Sequence, residues 1–161
     1  MTATTTNPRV QLLRDDACAK AEESAGRLEG LTPEQAQTTT EIGWTVAATA
    51  AHLASGTGFG TMQLKQLKQG KAPTVPPFVI NAMNLITSRR NRSKPVAESV
   101  ATLRANMETN LTLLDDWTDA ELDTAYKKPY FGAHTYEEGL RNSFIRHFDE
   151  HMGQVRRALK M

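Results

Sequence analysis

His147 and His151 stand four residues apart in RHFDEHMGQVRRAL, and they are half of the chain's four histidines. On an α-helix, side chains at i and i+4 leave the same face with Cβ atoms about 6 Å apart. Two imidazoles so placed could converge on one divalent cation, or they could be two ordinary polar residues on an amphipathic surface. A working metal centre needs a third protein ligand and keeps positions open for water or substrate. Leu140, Phe144, His147, His151 and Ala158 fall along one helical strip, with Phe148, Met152, Val155 and Leu159 along the next. The histidines therefore lie within or beside the core-facing surface. Burying two unpaired imidazoles costs on the order of a few kcal/mol, so they call for partners: a metal, other side chains, or a place at the edge of the core.

HFDEH also spells the H-x-x-E-H pattern of inverted zinc proteases, in which Glu150 would be the general base and the third ligand would lie well downstream. Only ten residues follow His151, so a third ligand is expected upstream. His52 is the stronger candidate. It sits in WTVAATAAHLA, a stretch otherwise almost all small or apolar, which turns it towards the interior. A lone histidine there reads as a hydrogen-bonded core residue; with His147 and His151 it becomes a possible ligand, because facing helices of a bundle build metal sites from inward side chains. His134 lies in a glycine-containing loop, as a solvated residue or as an acid–base or substrate contact. Arg146, Asp149 and Glu150 flank the pair but turn away from its face, as surface residues or outer supports of the ligands.

Helices must position these residues, since apolar residues recur at helical spacing and no sustained strand alternation appears. The first helix is expected from about Pro8 to Leu28, with Val10, Leu13, Ala17, Ala21 and Leu28 on one face and Gly30 at its end. LTPEQ follows as a short helical turn with Thr32 as cap, Pro33 in the first turn and Gln35 closing a capping box. The second long helix begins near Trp44 or Thr45 and runs towards Gly70. Inside it, the three glycines of SGTGFG each cost about 1 kcal/mol relative to alanine, and mark a kink, a break, or close approach by another backbone or a ligand.

Residues 70–95 form a long connection with four prolines, within which PPFVINAMNLITSRR has the pattern of a short helix, as surface cover or as a lid. The third long helix follows Pro95, with Val96, Val100, Leu103, Met107, Leu111 and Leu114 on one stripe, and ends near Trp117. TDAE opens another turn with capping-box spacing, YKKPYFGAH reads as a loop, and the last helix starts at Thr135 and continues almost to Met161. Four long helices without strands predict an all-α four-helix bundle.

At 161 residues the chain is expected to be a single domain over 1–161, with residues 1–7 as a flexible N-terminus. Nineteen Lys and Arg against eighteen Asp and Glu leave a formal charge of +1, which makes no electrostatic case for nucleic acid or an anionic membrane. Cys18 is the only cysteine. An internal disulfide and a thiolate metal site are thereby excluded, and a reducing cytoplasm fits. MTATTTNPRV has no apolar signal core, and no run approaches the length that spans a bilayer. Arg89, Arg90, Arg92 and Lys94 form a basic run, either solvated or in contact with an acidic thiol cofactor or a substrate carboxylate. Arg156, Arg157 and Lys160 suit the negative end of the last helix dipole, and Trp44 and Trp117 read as packing anchors near helix boundaries.

GWTVAATAAHLA, the long connection and the final HFDEHMGQVRRAL together resemble the DinB-like four-helix bundles, a superfamily that includes the N-terminal domain of mycothiol-dependent maleylpyruvate isomerase. LTPEQ before the tryptophan and TDAELD…PYFGAHTYEEGLR before the last helix follow the same layout, so the resemblance runs from about Val10 to Leu159. It implies a divalent metal, zinc or nickel, held by His52, His147 and His151, with Gln154 at a common polar position of the motif. It further implies a small-molecule substrate and a low-molecular-weight thiol cosubstrate, since characterised relatives are bacillithiol, mycothiol or glutathione transferases and an isomerase. It also implies a homodimer. Two other readings stay open: a metal-dependent hydrolase on the same residues, and a non-catalytic binding or stress-response bundle. The glycine-rich SGTGFG departs from the family's usual alanine- and leucine-rich helix.

Overall fold

The computed structural model describes residues 7–71 and 75–161. All but Asn7 of the expected flexible N-terminus therefore lies outside the described residues. Asn7 itself caps helix α1 (Pro8–Glu29), its side chain accepting from the Arg9 amide at 2.8 Å, with Pro8 in the first turn. Val10, Leu13, Ala17, Ala21, Ala25 and Leu28 are all buried along its inner face. The short α2 (Pro33–Ala36) carries the expected capping box between Thr32 and Gln35.

Helix α3 (Val46–Lys68) is capped by Thr45, whose Oγ1 accepts from the Ala48 amide at 3.1 Å and donates to the Arg92 carbonyl at 2.8 Å. One side chain thus starts the helix and pins the distant chain that crosses over it. The connection holds α4 (Pro77–Arg90), which packs on α3 but buries only Ser88. Helix α5 (Val96–Leu114) lies against both α1 and α3 through Val100, Leu103, Met107 and Leu114.

The α3–α5 contact is fastened by polar groups. Asn106 Nδ2 donates to the Ala54 carbonyl at 3.0 Å and Asn110 Nδ2 to the Thr57 carbonyl at 2.9 Å, while Thr61 Oγ1 donates to Asn110 Oδ1 at 2.6 Å. Side chains that reach a neighbour's backbone demand a close approach, and the glycines of SGTGFG allow it. A Cβ at Gly58 would lie 3.2 Å from Asn106 Nδ2, and one at Gly60 would lie 2.5 Å from Cε1 of Phe144. The helix continues through all three glycines, so a break is excluded, and what comes close to each of them is a neighbouring side chain rather than a backbone or a ligand.

After the capped turn α6 (Asp119–Leu122), the stretch read as a loop is a β-hairpin. Strand β1 (Ala125–Tyr130) pairs antiparallel with β2 (Ala133–Thr135), joined by Phe131 and Gly132, both at positive φ (48° and 76°). Positive φ at both central positions is the geometry that matches strand twist. Lys127, Lys128 and Pro129 hide the strand pattern, and Pro129 is tolerated because the sheet has two edges and no centre.

The last helical column runs as α7 (Tyr136–Arg141), a π-helical turn (Asn142–Arg146) and α8 (His147–Leu159). Thr135 and Glu138 form the capping box that starts it. The bundle of α1, α3, α5 and this column is all-α apart from the hairpin, as predicted. Among the described residues no helix is long and apolar enough to cross a membrane.

Candidate metal centre

Three imidazoles meet at one end of the bundle. His52 comes from the N-terminal third of α3, where Ala48, Ala50, Ala51 and Ala54 leave little side chain to hold neighbouring helices away. His147 and His151 open α8 one turn apart. Ring centroids are separated by 4.9 Å (His52–His147), 4.6 Å (His52–His151) and 4.6 Å (His147–His151). One ligand nitrogen from each ring lies within 4.8 Å of the other two. His52 and His151 are buried, and His147 is half-buried.

Two local features aim these rings. The π-helical turn ends immediately before His147, and such turns concentrate at functional sites. Its extra residue rotates everything downstream by about 100° relative to an uninterrupted α-helix. Phe144 and Phe148 point into the core while His147 and His151 come round to meet His52. Gly56, one turn beyond His52, provides room on the opposite side: a Cβ there would lie 3.3 Å from His147 Nε2.

His151 Nδ1 and Gln154 Oε1 are 2.9 Å apart. The amide oxygen only accepts, so Nδ1 carries the proton and Nε2 keeps its lone pair for a ligand. Among the described residues the rings of His52 and His147 have no hydrogen-bond partner. Trp44 closes the cluster, its ring edge-on to His52 at 5.0 Å and stacked on His151 at 5.9 Å. A tight turn holds that tryptophan: Thr40 donates to the Trp44 carbonyl from its amide at 2.7 Å and its hydroxyl at 3.0 Å, and Gly43 takes φ 81°. Arg157 Nε ties the turn to α8 through Glu41 at 2.9 Å.

Sequence reasoning named all three histidines and Gln154, but read Trp44 as a packing anchor; Trp117 is one, buried beside Tyr136. The signal for Trp44 lay in its position just before the cap of the helix that carries His52. His134 is exposed on β2 and lies outside the cluster. Arg146, Asp149 and Glu150 face solvent, Asp149 pairing with Lys20 at 2.7 Å.

Burial pushes the His52 pKa down to about 3 and that of His147 to about 4, with the neighbouring imidazoles adding repulsion. Burial also lowers His151. All three are neutral at pH 7, the form a metal requires. In the unfolded chain the same groups take up protons near 6.5. Below that pH the unfolded state binds more protons, so stability is complete above 6.5 and falls with pH towards the folded values. The slope is about 1.4 kcal/mol per pH unit for each histidine. Urea titrations of metal-free protein at pH 7 and 5.5 should show this loss, and His52→Leu should remove one histidine's share of it. An unchanged slope in His52→Leu would mean that His52 titrates normally in the fold.

No curated protein matched the chain. Over residues 19–155, well over half of its length, the sequence matches the model of the DinB superfamily, and the chain belongs to that superfamily.

Proposed function

We propose that His52, His147 and His151 bind one divalent metal ion, zinc or nickel, and that the protein uses this centre to transfer a small thiol to a small electrophile. The observation that carries the reading is the convergence of three neutral imidazoles from two helices, two of them without a hydrogen bond among the described residues. Hydrogen-bonded core histidines would have partners; among the described residues the rings of His52 and His147 have none, and they pack against each other and His151. Zinc–nitrogen bonds of about 2.0–2.1 Å put tetrahedral ligands roughly 3.4 Å apart, so nitrogens within 4.8 Å of one another need only side-chain rotation to close. Bound by three imidazoles with positions left open, such an ion supplies chemistry by lowering the pKa of a thiol or water. Gln154 holds the tautomer of His151, Gly56 keeps His147 free to move, and Trp44 shields one side from water.

Metal analysis of protein purified without a histidine tag is the first test, followed by a panel of low-molecular-weight thiols against a chlorodinitrobenzene electrophile. Stoichiometric metal and thiol-dependent turnover are expected. Turnover without thiol would identify the hydrolase instead. Metal-free protein whose melting is unmoved by zinc or nickel would identify a non-catalytic member.

A cytoplasmic setting and a homodimer belong to the same reading. The dimer has a physical motive, because α4 leaves Phe78, Met83 and Ile86 between 51% and 72% exposed. A second copy seated on α4 would cover them. Sedimentation at the mass of a single chain would remove the dimer from the proposal.

A further inference from the structure

The charge of this protein is unevenly distributed. Between Glu41 and Glu98 there is no acidic residue, whereas Lys65, Lys68, Lys71, Arg89, Arg90, Arg92 and Lys94 all fall there. Elsewhere on the surface several arginines are neutralised across the bundle: Arg9 by Asp119, Asp123 and Glu137, Arg104 by Glu22 and Glu29, Arg141 by Asp16. Among the described residues Arg89 and Arg92 have no carboxylate partner, and the undescribed residues contain no Asp or Glu. Glu41, the nearest acid along the chain, is engaged by Arg157.

These two arginines line a pocket of ≈ 250 Å³ between the 42–45 turn and the end of α4. Its apolar wall is Ile42, Leu85 and Trp44, and Trp44 is the residue whose ring packs on His52 and His151. Thr45 fastens the two sides by its bond to the Arg92 carbonyl. The pocket and the histidines thus share Trp44.

The geometry points to an anion subsite: Arg89 and Arg92 receive the carboxylate of a small organic acid whose other end reaches the three-histidine centre. This rests on the metal reading above and specifies the ligand class. Guanidinium groups match a carboxylate's two oxygens, the apolar wall accepts the carbon chain, and the two positive charges draw anions towards the mouth. The acid is either the thiol cosubstrate or the electrophile.

Cobalt-loaded protein titrated with 3-mercaptopropionate and with 2-mercaptoethanol separates charge from thiol binding, read by sulfur-to-cobalt absorption. The charged thiol should bind about tenfold more tightly at low salt, as one added charge-assisted contact implies. Arg89→Gln and Arg92→Gln should remove that advantage and leave 2-mercaptoethanol binding unchanged. Equal affinities in the parent protein, or arginine variants without effect, would overturn the subsite. If neither thiol perturbs cobalt, the metal–thiol reading fails. The subsite is then decided by quenching of tryptophan fluorescence with 3-phenylpropionate in metal-free protein: loss of quenching in the arginine variants supports it, and no quenching overturns it. A thiol-free acid that binds cobalt-loaded protein as tightly as the mercapto acid assigns the carboxylate to the electrophile; tighter binding of the mercapto acid assigns it to the thiol.

Discussion

His52→Ala and His151→Ala should each leave the purified protein without stoichiometric metal while its melting temperature, measured metal-free, moves little. The two halves of that result separate a ligand from a packing residue. The buried His52 ring has no hydrogen-bond partner among the described residues, so the desolvation of its nitrogens offsets its packing, and His151→Ala gives up one bond, to Gln154, worth about 1 kcal/mol. Removing one ligand of three leaves a pair that one helix or two can offer, and affinity should fall by more than the roughly 10–100-fold typical of an outer-shell change. Gln154→Ala, which frees the His151 tautomer without removing a nitrogen, should fall within that 10–100-fold range. Metal in 100-fold excess over its dissociation constant should stabilise the parent protein by about 2.7 kcal/mol and the alanine variants far less. Gly56→Ala gives a third signature. Its methyl meets His147 Nε2 at 3.3 Å, so it should weaken metal binding even though alanine favours the helix by about 1 kcal/mol. Retained metal in His151→Ala would show that the cluster is not the binding site.

The second large effect concerns the packing that brings α3 to the last column. Gly60→Ala places a Cβ 2.5 Å from Cε1 of Phe144. That ring is fully buried among helices and cannot swing away. Overpacking of this kind costs about 1–3 kcal/mol, which outweighs the propensity gain of about 1 kcal/mol. Phe144→Leu alone should also destabilise, since it leaves a cavity beside Gly60. Combined, the two changes should be less damaging than their sum, because the new methyl enters the space that the ring vacated. Urea denaturation of the four proteins measures the coupling. Strict additivity would mean that Gly60 and Phe144 do not share the contact.

Much of this architecture is readable one residue at a time. Thr32 with Gln35, Thr118 with Glu121 and Thr135 with Glu138 announce helix starts because a capping box is satisfied within four residues. The β-hairpin is not readable that way. Its only local mark is Phe131-Gly132, and its reason to form is Tyr126, whose ring fills space beside Gly139 of α7 and whose hydroxyl lies 3.5 Å from Gln63 Nε2. Those partners are distant in sequence, so a Lys-Lys-Pro run looks like a loop until the bundle supplies a surface for it.

The same division applies to the metal centre. Sequence by itself determined the ligand candidates, because a four-residue spacing puts two imidazoles on one face of any α-helix and an alanine-rich segment turns His52 inward. It also determined the number and order of the long helices through their apolar periodicity. Tertiary structure alone decided that the three rings meet, since that depends on a π-helical turn whose extra residue rotates α8, and on Gly56 and Gly60 letting two helices come within a side chain's reach. It alone decided that Trp44 touches both the histidines and an arginine-lined pocket. Helical spacing is a property of a backbone with itself, whereas convergence is a property of surfaces that only packing brings together.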